Sequence, residues 1–226
     1  MATRREVNLG ILSTAAAAAA AATTLTETAS FAQATQAIVL PEPAMAGGKS
    51  LMQSLNDRRS IRDYADRALS NQDLSNLLWA AWGVNRPQGD GRTAPRWRDV
   101  YALDIYLTMA DGVWLYEPKG HQLKFHMAGD LRGQTTTGQP FVAMAPVNLV
   151  YAVDISKITG ATEGEKNAVA GATAGVTGEN VYLYCASAGL ATVFRGSVPG
   201  EALAKKLQLP AGQIIQFAQT VGYPKA

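Results

Sequence analysis

The sequence predicts an α+β domain in which helices flank a mostly antiparallel sheet. Residues 101–108 alternate apolar and polar side chains, which is the period of a half-buried strand. Two short apolar segments within residues 112–125 flank a Pro-Lys-Gly turn, which indicates a hairpin and therefore antiparallel pairing. Residues 167–188 are apolar on nearly all sides, which indicates a buried helix. Strands that pair by hairpins and a separate long helix are typical of the α+β class.

The composition is that of one compact globular domain. The chain has 226 residues, of which 47% are hydrophobic and 17% charged, enough to build a substantial core. The net charge of +2 is too small to indicate nucleic-acid binding. One cysteine and two histidines exclude a disulfide framework and a zinc site of Cys/His type, so no metal is expected. Cys185 lies in an apolar run and is predicted to be a buried side chain.

Residues 1–34 are predicted to be an export signal that is removed. Arg4 and Arg5 stand in a segment that resembles a twin-arginine signal, and an alanine-rich apolar run follows. Small residues allow cleavage after Ala32 or Ala34. Because the apolar run is short and rich in alanine, it is a poor candidate for a membrane span. These features predict a periplasmic protein without stable membrane insertion.

Residues 35–50 are predicted to be an extended segment before the main domain, residues 51–226. The Gly-Gly-Lys-Ser sequence at its end is similar to the end of a phosphate-binding P-loop, but that loop needs glycine where this chain has Pro43. Ser50 is better explained as the N-cap of a helix that begins at Leu51.

Further elements follow from caps and periodicity. Ser70 begins a capping-box pattern, and the apolar positions after it predict a helix that stops at Gly83. Residues 147–154 are almost continuously apolar, which predicts a central strand buried on both faces. Residues 159–166 are polar and contain two glycines, which predicts a loop. The last strand is predicted to place three apolar residues on one face: Ile215, Phe217 and Val221.

Two groups of residues are assigned structural roles. Gly171, Gly175 and Gly178 share a helix face, which predicts close packing against another helix, including one from a second subunit. His121 and His126 lie on the predicted hairpin and are expected to be surface residues without a catalytic role.

Residues 58–62 concentrate cationic donors. Arg58, Arg59, Ser60 and Arg62 fall within five positions, directly after a short apolar segment. Guanidinium groups present forks of N–H donors that match phosphate oxygens, and the serine hydroxyl adds one more donor. A solvated basic turn has the same composition, but the order of these residues favours a phosphate site.

The order Arg-Arg-Ser-x-Arg-x-Tyr, followed by an acid-capped helix, resembles the flavin-phosphate motif of the nitroreductase family. The resemblance extends from about Leu51 to the end of the chain. It implies that Arg58 and Ser60 hold the phosphate and ribityl chain of FMN, with Arg59 beside them. It also implies that Arg62 approaches the N1/O2 edge of the flavin.

Pro95 stands where the family usually has a Pro-Ser-x-x-Asn-x-Gln loop that reaches the flavin of the partner subunit. This chain has Arg96 in place of the serine, Asp99 in place of the asparagine and Tyr101 in place of the glutamine. A carboxylate accepts a hydrogen bond but cannot donate one as an amide does. A nearby carboxylate also disfavours an anionic reduced flavin. The substitutions therefore leave open either the reduction potential that the site gives the flavin or the identity of the cofactor.

Residues 191–196 resemble the family segment that runs along the flavin face. The resemblance implies that the backbone N–H of Arg195 points at flavin N5, that Val193 and Phe194 pack nearby, and that Gly196 completes the segment. Lys225, in the family-like ending Gly-Tyr-Pro-Lys, would supplement the phosphate site. No side chain is assigned a catalytic role, because the chemistry belongs to the cofactor.

The resemblance implies a nitroreductase-like homodimer with FMN at its interface. The expected activity is ping-pong transfer of two electrons from a small-molecule donor to a nitroaromatic, quinone or similar acceptor. The hairpin pattern is closest to the thiazoline and oxazoline oxidase branch, so a dehydrogenase of peptide-borne heterocycles or a flavin-consuming enzyme remains an alternative. A non-enzymatic protein, with or without flavin, is the third possibility. A periplasmic location lacks nicotinamide cofactors, which leaves the electron donor open.

Overall fold

The computed structural model describes residues 37–225. The predicted export signal, residues 1–34, lies outside these residues, and so does the first part of the predicted extended segment. No helix within residues 37–225 has the length and apolar character needed to cross a bilayer. Within the same residues, no cluster of His, Cys, Asp and Glu side chains is suited to hold a metal ion.

The core of the structure is a seven-stranded antiparallel sheet. The described residues form nine strands, seven of them in this sheet: β1 Ala37–Val39, β2 Val84–Arg86, β3 Gly91–Arg92, β4 Leu103–Met109, β5 Gly112–Glu117, β6 Gln122–Met127, β7 Val147–Asp154, β8 Ala191–Arg195 and β9 Gln213–Gly222. The sheet has the order β1-β6-β5-β4-β7-β9-β8, and β2 and β3 form a separate ribbon. Every pair in the sheet is antiparallel, which confirms the predicted fold class. β8 is an edge strand, so one side of its backbone is available for other partners.

In the described part of the chain, five α-helices accompany the sheet: α1 Leu51–Asp57, α2 Asn71–Trp82, α3 Phe141–Met144, α4 Glu163–Ala188 and α5 Gly200–Lys206. The predicted caps of the first two are confirmed. The side chain of Ser50 accepts the N–H of Gln53, and the side chain of Ser70 accepts the N–H of Asp73. α2 ends at Gly83, as predicted.

α4 begins earlier than predicted, within the segment expected to be a loop. The Thr162 side chain accepts the N–H of Glu165, and the Glu165 carboxylate accepts the N–H of Thr162. This reciprocal capping box satisfies two backbone donors that would otherwise lack a partner at the helix start. The pattern Thr-x-x-Glu was present in the sequence, but the two nearby glycines obscured it.

The sheet separates two apolar cores. The larger lies between the sheet and helices α2 and α4, and the smaller lies beneath α5 on the opposite face. Alternate side chains of β7 enter each core, Leu149 and Tyr151 the larger and Val150 the smaller. β7 is therefore buried on both faces, as predicted. Cys185 is also buried, and burial raises the pKa of its thiol.

A bulge in β9 changes the predicted pattern of the last strand. Phe217 pairs with Tyr151, and Ile215 pairs with Ala152, so one extra residue lies between them in β9. An extra residue reverses the alternation of side chains. Phe217 consequently faces the larger core while Ile215 faces the smaller, and the prediction that they share a face is wrong.

Within residues 37–225, the helix-face glycines of α4 do not pack against another helix. A Cβ atom on Gly178 would lie 2.5 Å from a ring carbon of Phe194 in β8, and one on Gly171 would lie 3.7 Å from Phe217 in β9. Gly175 has open space around it within the described residues. Glycine at position 178 thus allows α4 to approach the sheet, not a second helix.

The two histidines are half-buried and hydrogen-bonded, which corrects the prediction that they are ordinary surface residues. His121 Nε2 lies 2.8 Å from Ser75 Oγ, and His121 Nδ1 lies 3.0 Å from the Tyr116 hydroxyl. His126 Nε2 donates to the Leu207 carbonyl oxygen at 2.6 Å. Burial lowers the pKa of His121 below its ordinary value, which favours the neutral ring in this network.

Candidate functional site

The arginine segment, residues 58–62, runs along the open edge of β8. The N–H of Ile61 donates to the Thr192 carbonyl oxygen at 2.9 Å. At the chain end, the N–H of Lys225 donates to the Asp63 carbonyl oxygen at 3.2 Å. These contacts bring together three regions that the sequence singled out: the arginine segment, β8 and Lys225.

Tyr182 of α4 lies where these regions meet. Its oxygen is 2.7 Å from Ser60 Oγ and accepts the N–H of Phe194 at 2.9 Å. The guanidinium carbon of Arg58 lies 5.0 Å from the centre of its ring, within cation–π range. Sequence reasoning did not select Tyr182, because a tyrosine in an apolar helix is typical of a core residue. The available signal was the segment Glu179-Asn180-Val181-Tyr182, which resembles the Gln-Asn segment in the central helix of the nitroreductase family.

The backbone N–H of Phe194 faces outward from β8, whereas the resemblance assigned an outward N–H to Arg195. Phe194 donates to Tyr182, away from the sheet, while Arg195 pairs with Ala218 in the ladder with β9. Because successive peptide groups of a strand alternate sides, the N–H of Arg195 points into the sheet. The next outward N–H by the same alternation belongs to Gly196, which is exposed and forms no hydrogen bond through it within residues 37–225.

The segment carries positive charge that no acid within residues 37–225 neutralises. Arg58, Arg62 and Lys225 form no ion pair there. Two acids flank the segment: Asp63, which forms no ion pair within residues 37–225, and Asp57, which is engaged by Lys49, whose Nζ lies 2.7 Å from the Asp57 carboxylate. That hydrogen bond is the largest cause that lowers the pKa of Asp57 to about 2. Guanidinium and ammonium groups without an acid partner, beside the exposed Ser60 hydroxyl, favour an anionic ligand.

Arg59 stabilises the turn that presents this segment. Its Nη1 donates to the carbonyl oxygens of Asn56 at 2.8 Å and Arg58 at 2.7 Å. These bonds satisfy carbonyl groups at the end of α1 that have no partner within the helix. Arg59 therefore contributes to the shape of the segment as well as to its charge.

The side chain of Arg195 lies on the other face of β8, away from Tyr182. It is 3% exposed and donates to Thr220 Oγ1 at 2.8 Å, to the Thr135 carbonyl oxygen at 2.8 Å and to Asn148 Oδ1 at 3.3 Å. Burial lowers the pKa of Arg195 to about 10. Its side chain ties β8 and β9 to the segment before α3, and Val193 is buried on the same face.

Phe194 faces the larger core and fixes the position of β8 beneath α4. Its ring stacks on Tyr151 with centroids 5.8 Å apart and on Phe217 with centroids 4.9 Å apart. Such stacked aromatic pairs restrict the ring to one orientation. The outward N–H of the same residue is thereby held in place against Tyr182.

Residues 95–99 lie elsewhere in the chain, against the N-terminal half of α4. Pro95, Arg96 and Trp97 line an apolar hollow of about 380 Å³ with the α4 residues between 168 and 176. Nine residues of helix separate position 173 from position 182, about 13–14 Å at 1.5 Å per residue. Within one chain, the structure therefore does not bring this loop to the arginine segment.

Within that loop, Asp99 is not a free carboxylate. Its side chain lies 2.8 Å from Arg96 Nη2, and the Arg96 guanidinium carbon lies 4.4 Å from the ring centre of Tyr101. Arg98 and Asp99 both have positive φ, 43° and 61°, an unusual conformation for residues other than glycine. The ion pair reduces the negative charge that Asp99 would otherwise present.

Comparisons with known proteins match this chain to one family. A family model described as the nitroreductase family matches residues 55–223. "Putative nitroreductase MJ1384" of Methanocaldococcus jannaschii is 30% identical over 149 residues, which are 62% of this chain and 75% of that protein. The crystal structure of a "putative nitroreductase" from Ralstonia eutropha JMP134 has a TM-score of 0.81 and 38% identity, and the match covers 85% of this chain and 91% of that one.

A more distant structure shares the fold alone. The NADPH:FMN oxidoreductase from Vibrio harveyi complexed with NAD+ has a TM-score of 0.59 and 16% identity, and the match covers 78% of this chain and 69% of that one. The match to the family model begins within α1 and ends after β9, so it includes the arginine segment, α4 and β8.

Proposed function

We propose that this chain, which belongs to the nitroreductase family, is an FMN-dependent oxidoreductase. The family supports an oxidoreductase function in general. The finer proposal is ping-pong transfer of two electrons from a small-molecule donor to a nitroaromatic, quinone or similar acceptor. One observation carries it: Arg58, which has no acid partner within residues 37–225, and the exposed Ser60 meet the edge of β8 at the Tyr182 side chain.

The residues present fit a flavin mononucleotide. Arg58, Ser60 and Lys225 would hold the phosphate, because each presents N–H or O–H donors and the two cations have no acid partner within residues 37–225. Arg62, exposed and also without an acid partner there, would approach the N1/O2 edge. The name of the Vibrio harveyi protein that shares this fold, NADPH:FMN oxidoreductase, also contains FMN.

The open edge of β8 would meet the ring. Bound FMN supplies the two-electron chemistry, and the protein supplies orientation and electrostatics. We assign the donor toward N5 to the N–H of Gly196, in place of Arg195, because Gly196 follows β8 in phase with the outward N–H of Phe194 and its own N–H forms no hydrogen bond within residues 37–225. A fixed N–H donor stabilises negative charge that develops at the acceptor atom. No side chain of the site is required as a nucleophile.

Flavin content and turnover of the purified protein test the proposal. We expect flavin absorbance, tighter binding of FMN than of riboflavin, and reduction of a nitroaromatic or a quinone by a reduced donor. A bound flavin that accepts electrons but passes none to these acceptors would favour the heterocycle dehydrogenase or a flavin-consuming enzyme. A protein that binds no flavin would contradict the proposal.

We also propose that the chain is a homodimer and that FMN stabilises the dimer. Apolar side chains are exposed on α1, where Leu51 and Met52 are 63% and 73% exposed, and beside the hollow, where Trp97 and Val176 are 40% and 37% exposed. Exposed apolar side chains of this size are typical of an interface. If residues 95–99 reach the partner's flavin, ligand binding and association are thermodynamically linked.

The dimer proposal predicts that Val176→Glu weakens both association and FMN affinity. A charge at the centre of an apolar interface costs several kcal/mol, on the order of the penalty for an unpaired buried charge. Sedimentation with and without FMN measures the effect. Val39→Glu is the control, because Val39 is 73% exposed on β1, away from α4. A monomer that binds FMN tightly would refute the linkage.

Export remains a proposal based on residues 1–34. Replacing Arg4 and Arg5 by lysine keeps their charge and removes the twin-arginine pattern. We expect this variant to stay in the cytoplasm as precursor, which fractionation followed by immunoblotting detects. Unchanged periplasmic recovery would contradict the proposal. If export holds, a quinol or a redox protein is the expected electron donor, because the periplasm has no nicotinamide pool.

A further inference from the structure

Tyr182 connects three parts of the proposed cofactor site through one side chain. Its ring contacts the Arg58 guanidinium, and its oxygen contacts both Ser60 Oγ and the N–H of Phe194. The residue is only 9% exposed, so water competes little for these hydrogen bonds. A buried hydroxyl with two fixed partners can impose a direction on the bonds that it makes.

The direction follows from what each group is able to donate. The N–H of Phe194 only donates, so the Tyr182 oxygen accepts there. The proton of the Tyr182 hydroxyl is then free to be donated to Ser60 Oγ, 2.7 Å away. When Ser60 Oγ accepts this hydrogen bond from Tyr182, the O–H of Ser60 must point to a different acceptor. Ser60 is exposed, so that acceptor can be a ligand beside Arg58.

A phosphate dianion fixes the same direction from the other end. Its oxygens accept hydrogen bonds and have no proton to give. The bonds would then run in one sense, from the Phe194 N–H to the Tyr182 oxygen, from the Tyr182 O–H to Ser60 Oγ, and from the Ser60 O–H to the phosphate. Hydrogen bonds in such a chain strengthen one another.

We propose that Tyr182 is a positioning residue for the cofactor phosphate. Its hydroxyl orients Ser60 as a donor to the phosphate, and its ring holds Arg58 at the same anion. This role deepens the proposed function and rests on it, since it requires FMN at the site. Tyr182 acts through Ser60 and Arg58 and needs no contact with the reacting atoms of the flavin.

Four proteins test the proposal: the wild type, Tyr182→Phe, Ser60→Ala and the double variant. The dissociation constants of FMN and riboflavin are measured for each by fluorescence titration of the flavin-free full chain. Tyr182→Phe keeps the ring against Arg58 and removes only the hydroxyl. We expect FMN to bind about tenfold more weakly, the order expected for one hydrogen bond to a charged group, and riboflavin to change less than about twofold.

The double variant isolates the coupling between the two hydroxyls. Ser60→Ala should weaken FMN by about tenfold or more, and Tyr182→Phe should then cost nothing further, because its target is gone. Tyr184→Phe is the control: it removes a half-buried hydroxyl from α4 that contacts none of these residues. Its affinity for both flavins should equal that of the wild type.

Several outcomes overturn the proposal. Equal changes for FMN and riboflavin in Tyr182→Phe would mean that the hydroxyl acts on the ring or on the fold. Tighter binding of both flavins would mean that Tyr182 competes with the cofactor for the N–H of Phe194. If the loss of FMN affinity in the double variant equals the sum of the two single losses, Tyr182 and Ser60 act independently. If Ser60→Ala weakens the binding of FMN and riboflavin equally, the proposed chain of hydrogen bonds is refuted. This result can be obtained even if Tyr182→Phe does not fold.

The proposed function fails in a different way. A wild-type protein that binds neither flavin would refute both proposals together. A wild type that prefers FMN, combined with a Tyr182→Phe variant that keeps the same preference, would refute the role of Tyr182 and leave the proposed function in place.

Discussion

Arg58→Ala is expected to weaken FMN binding by about ten- to a hundredfold while riboflavin affinity barely changes. The substitution removes a charge-assisted contact to phosphate, a loss of about 1.5–3 kcal/mol. Arg58 has no acid partner within residues 37–225, so no competing ion pair reduces its contribution. Riboflavin lacks the phosphate, so its affinity separates a phosphate contact from a general structural effect.

Lys206→Ala is the matched control for this prediction. It also removes one exposed positive charge, but from the last turn of α5, on the opposite face of the sheet from α4. Any loss of FMN affinity shared by both variants would reflect net charge alone. Equal losses of FMN and riboflavin in Arg58→Ala would show that Arg58 supports the structure, and the phosphate site would have to lie elsewhere.

The sequence predicted the elements whose signals are local. The caps at Ser50 and Ser70, the hairpin of β5 and β6 and the buried strand β7 depend on residue type and period within a few positions. The resemblance located the arginine segment and β8, and the structure places them side by side. The caps, the hairpin and β7 could be predicted because neighbours in sequence determine them.

The parts that sequence missed depend on contacts between distant residues. Which N–H of β8 faces outward is set by its register with β9, and a shift of one residue exchanges Phe194 for Arg195. The separation of Ile215 from Phe217 depends on a bulge that no local pattern shows. Tyr182 was missed because its partners, Ser60 and Phe194, are 122 and 12 residues away.

Arg195 shows the same limit for a charged side chain. The resemblance gave a role only to the backbone N–H of Arg195 and said nothing of its side chain. The fold surrounds its guanidinium with Thr135, Asn148 and Thr220, which come from three separate parts of the chain. Their oxygens satisfy a buried cation without a carboxylate, an arrangement that only the tertiary structure reveals.

Gly178→Ala is expected to lower the free energy of unfolding and to weaken FMN binding together. The added Cβ would lie 2.5 Å from the ring of Phe194 and 3.1 Å from Gln219 Oε1. Phe194 is clamped between Tyr151 and Phe217, and Gln219 Oε1 accepts the Tyr151 hydroxyl, so neither neighbour can move freely. Overpacking of this kind costs about 1–3 kcal/mol, which exceeds the gain in helix propensity of up to about 1 kcal/mol.

Gly164→Ala separates that clash from the effect of alanine itself. Gly164 lies in the first turn of the same helix, and a Cβ there would have no neighbour within 4 Å. The control should therefore be neutral or more stable by up to about 1 kcal/mol.

For Gly178→Ala, the melting temperature should fall by about 2–4 °C per kcal/mol lost, as measured by calorimetry. FMN should also bind more weakly, because a displaced Phe194 moves the N–H that supports Tyr182. A stable Gly178→Ala variant with normal FMN affinity would mean that α4 and β8 can separate without disturbing the site.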